Sequence, residues 1–410
     1  MAIIEKARII LEDGTPLDRW DSYSIDTDFL TPTDGWSFTV GGEEAYVANI
    51  GQLQPDYRVQ LYVDGMLQLT GFIDNVSMSS TPEGGLVTTV TGRDILRPLC
   101  KANMPPDFKV DGLTIEALVE SLLPYYYKQG QPNLITDSQS QRSLLDVAAS
   151  VKPKDRAAML KKLVERTRAN PGDGAFEFIA RNIRRFGLWL WAMPNGDLVL
   201  GGPEYEQAPA YKIQRRRGER SVAYPSATYE RDRTQTPSFI SVRAKTTAKE
   251  WAKGEVFGAI DMGARDHWFV EPAYMQNDSA TTMEECYAFA LQELTRLTES
   301  SEVYTCTAVG HRDHETGNMF QVNTIATIED DILGVRGDFW VSRRTFRKDL
   351  GGGTTTELRL VPKGSIQFGE ADFPPGSPGE SEEKKPAPIR NFGKPQPRVL
   401  ANAPRGDVGR

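Results

Sequence analysis

The sequence predicts a mainly β fold with α+β parts, divided into several domains. Its 410 residues exceed what one hydrophobic core usually holds, so two to four domains are expected. Hydrophobic residues make up 39% of the chain, enough for several modest cores, and 36 glycines and 26 prolines indicate many turns. Alternating apolar and polar residues predict strands in the first and last parts of the chain, whereas helical patterns are concentrated in the middle.

Residues 1–100 are predicted to form a first β domain, as a small barrel or a sandwich. Asp64-Gly65 separates two strand patterns and is one of the stronger short hairpin signals. The predicted strands are Ala7–Leu11, Trp20–Asp28, Trp36–Val40, Arg58–Val63, Met66–Val76 and Leu86–Thr91. The domain closes on Gly92-Arg93-Asp94, which is either a ligand-gripping motif or a glycine bend beside a surface Arg-Asp pair. We interpret it as structural.

Residues 101–210 are predicted to form a smaller α+β connecting domain. Thr114 can cap a helix that stops at Pro124, and Lys154–Arg168 has the pattern of a second, very basic helix. A third helix follows Asp173 and ends at Gly187. Its apolar face carries Phe176, Ile179, Ile183 and Phe186.

A tryptophan-bearing hairpin follows this third helix. Trp189 and Trp191 lie on its first predicted strand, and Asn195-Gly196 supplies the positive-φ turn into the second strand, Asp197–Leu200. No group in this segment is chemically reactive, so it is interpreted as a packing unit.

Residues 211–368 are predicted to form a second β domain around one helix, which runs from a capping box at Thr281 to Glu299. The predicted strands are Val303–Val309, Thr324–Ile328, Asp338–Phe346 and Thr354–Val361. Gly337–Ser342 followed by a Gly-rich turn parallels Gly71–Ser77 followed by a Gly-Gly turn. An internal duplication and shared turn chemistry both explain this echo.

Residues 369–410 are rich in proline, including Pro374 and Pro375, and contain few large apolar side chains. Such a segment cannot bury enough surface to fold alone. It is predicted to be an extended arm that contacts a neighbouring chain.

Composition excludes several function classes. A formal charge of -8 and a pI near 5.3 argue against a general phosphate-binding surface but suit a conduit to which DNA does not adhere. Cys100, Cys286 and Cys306 are widely spaced, so neither a disulfide framework nor a zinc site is indicated, and reduced thiols are expected. Without an apolar leader or a run long enough for a membrane span, the protein is expected to be made and kept in the cytosol.

No catalytic or cofactor-binding residue is predicted, because no nucleophile, phosphate-loop or dinucleotide motif is present. His311, Asp313 and His314 are the metal-ligand candidates, but a tetrahedral site needs three or four converging ligands, so this segment is interpreted as a solvated loop. The acidic run Glu329-Asp330-Asp331 is also interpreted as solvated. Arg215-Arg216-Arg217 is the densest basic run and is either a partner contact or an exposed interdomain loop.

Several motifs together resemble the Mu-type baseplate hub proteins of contractile phages. They are Gly71-Phe-Ile-Asp-Asn-Val76, the closing Gly92-Arg93-Asp94, and a helix ending in Arg184-Arg185 before Gly187. The tryptophan strand and the Gly196-Asp197-Leu198 hairpin complete the set. Each motif is common, but their order over residues 1 to about 365 is more specific.

The resemblance implies two tube-like β-barrel domains beside the smaller α+β domain, whose core would hold Trp189 and Trp191. It implies a structural, non-enzymatic hub, with three chains forming a pseudo-sixfold ring that joins a sixfold tail tube to a threefold spike. The implied partners are the spike, the tube or its initiator, baseplate wedge proteins and tape-measure protein, with DNA passing through a central channel. The implied location is the virion tail baseplate, after assembly in the host cytoplasm.

Two other functions remain open at this point. The first is a β-rich carbohydrate-active or peptidoglycan-cleaving tail enzyme that uses a carboxylate pair. The second is the hub of a genome-free contractile injection system, which needs the same ring geometry as a phage.

Overall fold

The computed structural model shows a mainly β protein, as predicted. The residues it describes are 6–42, 53–82, 85–106, 108, 113–136, 172–184, 188–205, 207–218, 222–234, 236–237, 239–244, 259–260, 271–277, 290, 293, 301–349 and 351–363.

The first β half contains seven strands that pair antiparallel in the order β3-β4-β7-β6-β5-β1-β2. They are β1 (Ala7–Leu11), β2 (Pro16–Leu17), β3 (Ser22–Asp28), β4 (Gly35–Gly41), β5 (Arg58–Val63), β6 (Met66–Thr81) and β7 (Gly85–Asp94). Buried and partly buried residues alternate along β4 and β5, which places their apolar side chains on one core-facing side. Asp64 and Gly65 both have positive φ at the predicted hairpin turn.

The connecting segment has a hydrophobic core of its own. Its elements are α1 (Arg97–Lys101), α2 (Ile115–Tyr126), β8 (Leu134–Thr136), α3 (Ala175–Arg184), β9 (Trp189–Ala192) and β10 (Leu198–Gly201). The Thr114 side chain caps α2 by accepting a hydrogen bond from the Ala117 N–H, as predicted. The predicted end of α2 at Pro124 is wrong, because proline near the C-terminus removes only one intrahelical hydrogen bond and the helix continues to Tyr126.

The second β half contains six strands of the same sheet: β11 (Tyr211–Arg215), β12 (Ser226–Arg231), β16 (Glu302–Val309), β17 (Ile325–Asp330), β18 (Val335–Asp349) and β19 (Gly353–Pro362). A separate three-stranded sheet contains β13 (Phe239–Ala244), β14 (Ala259–Ile260) and β15 (Pro272–Asn277).

The two halves form one 13-stranded sheet because β18 pairs with β3. The length of β18 makes this possible. Residues Val335–Trp340 of this strand pair with β17, and residues Arg343–Lys348 pair with β3. The described strands do not close into two separate barrels, so the tube-like closure implied by the resemblance is not seen in this part of the chain.

The same five-strand arrangement occurs in both halves. The order β3-β4-β7-β6-β5 in the first half matches β12-β16-β19-β18-β17 in the second, and every neighbouring pair is antiparallel. A bulge interrupts β6 at Asp74 and β18 at Ser342, in each case seven residues before the last residue of its strand, Thr81 or Asp349. The structural repeat thus aligns Asp74 with Ser342. This differs by two residues from the alignment of Gly71 with Gly337 that the sequence similarity suggested.

Three sequence predictions fall wholly or mainly outside the described residues. They are the basic helix 154–168, the proline-rich segment 369–410 with Pro374 and Pro375, and the helix from Thr281 to Glu299. In the last of these only Ala290 and Glu293 are described, both in helical conformation.

Two glycines allow β6 and β7 to approach each other closely. A Cβ atom on Gly92 would lie 2.1 Å from the Phe72 carbonyl oxygen and 2.3 Å from the Trp36 ring. A Cβ atom on Gly71 would lie 2.1 Å from the Arg93 carbonyl oxygen. Since backbone atoms cannot move aside as a flexible side chain can, both positions require glycine.

We predict that Gly92→Ala lowers the free energy of unfolding by about 3 kcal/mol, because the added methyl group overlaps backbone and ring atoms. Gly35→Ala is the matched control, since Gly35 lies in the adjacent strand and its Cβ would have no neighbour within 4 Å. Chemical denaturation of both variants and the parent measures the effect. Equal stability of the two variants would contradict the packing described here.

Candidate functional site

The junction between β18 and β3 holds the two β halves together, and ionic contacts line its outer side. Arg343 donates from Nε and Nη2 to the two carboxylate oxygens of Asp26 at 2.9 and 2.6 Å, and Thr345 donates to the same carboxylate at 2.7 Å. Both partners of this ion pair are partly exposed. Solvent screening therefore limits its contribution, while its two-point geometry fixes the register of the strands.

Arg344 lies on the opposite, core-facing side of the same strand and is 3% exposed. Its guanidinium donates to Gln68 Oε1, the Phe320 carbonyl oxygen and Thr27 Oγ1 at 2.8 to 2.9 Å. It lies 4.0 Å above the centre of the Phe346 ring. Burial lowers the pKa of Arg344 to about 10. The three acceptors come from β6, β3 and the loop before β17, so one buried cation links both halves.

His311 contacts the same Phe346 ring as Arg344 and is fully buried. Its ring stacks on Phe346 at 4.1 Å, and its two nitrogens contact Tyr23 Oη and Thr356 Oγ1, each at 2.9 Å. The Thr356 hydroxyl donates to the Gly310 carbonyl oxygen, so His311 Nδ1 must be the donor to Thr356 and Nε2 the acceptor from Tyr23. Burial lowers the pKa of His311 to about 3, and the ring is neutral.

The interpretation of this segment as a solvated loop is therefore wrong for His311 and for Asp313, which is 1% exposed. The Asp313 carboxylate accepts hydrogen bonds from Tyr224 Oη and from the Thr316 hydroxyl and backbone N–H. His314 is exposed. The three metal-ligand candidates thus do not converge, and no cluster of three or more His, Cys, Asp or Glu side chains suited to a metal occurs among the described residues.

The expectation that Arg215 is exposed, either as a partner contact or in a loop, is also wrong. It lies at the end of β11, is 9% exposed and donates from Nη1 to Asp330 Oδ2 at 2.8 Å. Asp330 is fully buried, unlike the solvated acidic run expected from sequence, and also accepts from Tyr304 Oη. Strand β11 pairs with β17, which brings these opposite charges together. Arg216 and Arg217 are exposed and stay partner-contact candidates.

Gly92-Arg93-Asp94 lies where the first β half meets the connecting segment. Arg93 Nε donates to Asp74 Oδ2 at 2.6 Å, beside a second ion pair between Arg97 and Asp74. Asp94 is buried and accepts a hydrogen bond from the Leu96 N–H just before α1. Burial raises the pKa of Asp94, as does the neighbouring charge of Asp34. Arg93 and Asp94 therefore contact different partners rather than presenting one paired surface motif.

Trp189 and Trp191 do not lie in the core of the connecting segment, contrary to the implication of the resemblance. Leu188 and Leu190 enter that core, and alternation along β9 turns both tryptophans to the other side. There they pack on a small aromatic cluster that includes Phe29 and Trp340, with 4.7 Å between the ring centres of Phe29 and Trp191. The hairpin thus connects the α+β core to the β sheet.

Sequence reasoning did not identify Arg344, Tyr23 or Gln68 as parts of one polar cluster. Arg344 lies in the polar run Ser342–Thr345 and Tyr23 lies between two serines, so neither is conspicuous in the sequence. Tyr23 pairs with His311 and Gln68 with Arg344, in each case more than 200 residues away in sequence. The only local signal was polarity at core-facing positions of the strand alternation.

Within the described residues, no helix is long and apolar enough to span a membrane. Cys306 is buried and Cys100 partly buried, both as free thiols, and burial raises the pKa of Cys100 to about 12.

We predict that Arg344→Ala lowers the free energy of unfolding by about 3 kcal/mol, because it leaves a void and orphans buried acceptors on both halves. Arg343→Ala is the adjacent control and should cost about 1 kcal/mol or less, as expected for a partly exposed ion pair. Urea denaturation of both variants checks this. A larger loss at Arg343 would contradict the assignment of the buried link.

We predict that His311 makes stability depend on pH below about 6.5. Its pKa is lower in the folded than in the unfolded chain, so its stabilisation is complete above the unfolded value of about 6.5 and is lost as pH falls towards 3. The stability difference between the parent and His311→Asn should therefore shrink by up to about 1.4 kcal/mol per pH unit in that window. Denaturation midpoints from pH 7.5 to 4.5 measure it.

Exposed His314→Asn is the control and should run parallel to the parent across the same pH range. Parallel curves for His311→Asn and the parent would contradict a buried neutral His311.

The first β half matches a known protein family. The model of the Mu phage baseplate assembly protein GpP-like N-terminal domain matches residues 9–94. No curated protein matches the sequence.

Solved structures extend the likeness over most of the chain. The tail protein from Neisseria meningitidis MC58 has a TM-score of 0.70 at 18% identity, covering 89% of this chain and 98% of that one. The 43 kDa tail protein of prophage MuSo2 from Shewanella oneidensis has a TM-score of 0.68 at 16% identity, covering 88% and 100%. The E. coli c3393 protein, a type VI secretion system component, has a TM-score of 0.51 at 8% identity, covering 86% and 76%.

At these identities the structural matches show a shared fold, and the family model matches only the first β half. The resemblance to Mu-type baseplate hub proteins is confirmed: residues 9–94 match the model of the Mu phage baseplate assembly protein GpP-like N-terminal domain, and the chain shares the fold of two phage tail proteins.

Proposed function

We propose that this chain is the structural hub of a contractile phage tail baseplate. In this proposal three copies form a ring of six similar β units, which joins a sixfold tail tube to a threefold spike. The hub is not an enzyme, and its working parts are strands and strand edges rather than a catalytic set.

The observation that carries this proposal is the repeated five-strand arrangement within one chain. Two units with the same strand order, the same antiparallel pairing and a bulge at the same position present similar surfaces to their neighbours. A ring of three such chains presents six similar units to a sixfold tube while keeping a true threefold axis for a spike. Closed rings also remove exposed sheet edges, which otherwise invite aggregation.

The junction between β18 and β3 supports the same proposal. It shows that two units can be joined side by side through direct strand pairing, with Arg343 and Asp26 fixing the register. A ring needs this kind of contact between successive units. Within one chain it is already present once.

The comparisons support the proposed setting and partners. The family model is named for baseplate assembly, and two similar folds are described as tail proteins. The c3393 protein is described as structurally similar to the T4 bacteriophage tail proteins gp27 and gp5. We therefore propose a location in the virion tail baseplate, after assembly in the host cytoplasm. The proposed partners are the spike, the tube or its initiator, wedge proteins and tape-measure protein.

Charge supports the proposed passage of DNA through the ring. The chain carries a formal charge of -8, and like charge disfavours adsorption of phosphates to a channel wall. The same acidic balance argues against a hub that grips DNA. Passage would then be transient and independent of sequence.

The mass of the assembly in solution tests the proposed function. We expect the full chain, 45.6 kDa as a monomer, to form a trimer by analytical ultracentrifugation and a ring by electron microscopy. A cell-wall turbidity assay on the same preparation should show no clearing. A monomer at every concentration, with no ring even with the spike present, would overturn the hub; clearing of the cell wall would instead favour the tail enzyme.

A further inference from the structure

The second half of β6, Asn75 to Ser80, is a strand edge without a partner among the described residues. Strand β5 pairs only with the first half of β6, up to Phe72, and β7 covers the other side from Gly71 to Thr81. Met78 is 53% exposed although it lies on the same side of the sheet as core-packed Val76. This half of β6 carries no charged residue. A long uncharged edge of this kind is an aggregation hazard unless another strand covers it.

Strand β12 also has an unpaired edge. Among the described strands it pairs with β16 alone, so its second edge is open at one end of the strand order. Ala227 and Tyr229 are partly buried against the core, whereas Thr228 and Glu230 are exposed on the outer side.

The internal repeat makes these two edges equivalent to the two strands of the existing junction. By position in the five-strand order, β6 corresponds to β18 and β12 corresponds to β3. The second half of β18 pairs with β3 inside the chain. The equivalent second half of β6 and one edge of the equivalent strand β12 both lack partners in the described structure.

We propose that the second half of β6 pairs antiparallel with β12 of a neighbouring copy of this chain, repeating between chains the junction that β18 and β3 form within one. This inference rests on the proposed ring and names the surfaces that close it. Each chain then contributes one internal and one intermolecular junction. Three chains give six alternating junctions around the ring.

The register of the intermolecular junction follows from the repeat. Phe346 and Met78 each lie four residues after the bulge of their strand. In the first half, Ile25 on β3 pairs with Trp36 on β4, which in turn pairs with Gly92 on β7. In the second half, Tyr229 on β12 pairs with Tyr304 on β16, which in turn pairs with Leu360 on β19.

Gly92 on β7 and Leu360 on β19 are themselves equivalent positions. Each lies seven residues after the first residue of its strand, Gly85 or Gly353.

Because Gly92 and Leu360 are equivalent, Ile25 corresponds to Tyr229. Because Phe346 lies opposite Ile25 in the internal junction, Met78 lies opposite Tyr229 in the intermolecular one, and Ser77 lies opposite Glu230.

The chemistry of the paired residues suits this register. Phe346 and Ile25 are both fully buried, and their equivalents Met78 and Tyr229 can bury apolar surface together on the same face. On the outer face, the position of Arg343 corresponds to Asn75 and the position of Asp26 corresponds to Glu230. An amide can donate to a carboxylate there, so the partner that fits this edge is a second copy of this chain.

Cysteine pairs can test the register directly. Directly opposite residues in an antiparallel pair have Cβ atoms about 5 Å apart, within reach of a disulfide, whereas diagonal neighbours at about 7–8 Å are not. We would co-express the single variants Ser77→Cys and Glu230→Cys of the full chain so that rings contain a mixture of both, oxidise the mixture and run non-reducing denaturing electrophoresis. A disulfide between positions 77 and 230 in that mixture must join two different chains. Each single variant alone controls for bonds made by the native cysteines.

The matched register control is a mixture of Ser77→Cys with Thr228→Cys, which lies two residues along the same face of β12. We expect a crosslinked dimer from the Ser77 and Glu230 mixture and its loss in the Thr228 mixture. The double variant Ser77→Cys/Glu230→Cys should yield crosslinked trimers.

The outcomes separate this inference from the proposed function. A trimer by ultracentrifugation without the Ser77–Glu230 crosslink, or with a stronger Ser77–Thr228 crosslink, would overturn the junction and leave the hub standing. A monomer at every concentration would overturn both. A crosslink between Ser77 and Glu230 within the double variant only, never in the mixture, would assign the contact to a single chain and overturn the intermolecular junction.

Discussion

Strand β18 pairs with two different strands along one edge, and the arrangement of the β sheet depends on this. Its first part pairs with β17 and its second part, beyond the bulge at Ser342, with β3. A strand can do this only if it is long and if the polar side chains at the change of partner find hydrogen-bond acceptors. Arg343 donates to a partly exposed carboxylate on one face, and Arg344 donates through its two Nη groups to neutral acceptors on the other.

The buried polar cluster at this junction specifies one arrangement rather than adding much net stability. A guanidinium removed from water requires several well-placed acceptors, and Arg344 finds them on β6, β3 and the chain near Phe320. His311 is held neutral between Tyr23 and Thr356 in the same region. A shifted register between the halves would leave these groups buried without partners, which is far more costly than the loss of one apolar contact.

The connecting segment is joined to this sheet by the tryptophan hairpin. Its leucines face the α+β core, while Trp189 and Trp191 face Phe29 and Trp340 beside the junction. Two strand faces with different apolar partners make the hairpin a rigid link between cores.

The sequence by itself determined the mainly β class, most strand positions, the Asp64-Gly65 and Asn195-Gly196 turns, the Thr114 cap and the family resemblance. These features depend on residues close together in the chain, through side-chain alternation and positive-φ turns.

Only the tertiary structure decided that His311, Asp313, Arg215 and Asp330 are buried and that Trp189 and Trp191 lie outside the core of the connecting segment. It also decided that one strand joins the halves and that the repeat aligns Asp74 with Ser342. These features depend on contacts between residues about 90 to 320 positions apart, and local polarity cannot reveal whether a distant partner will satisfy a charge inside the core.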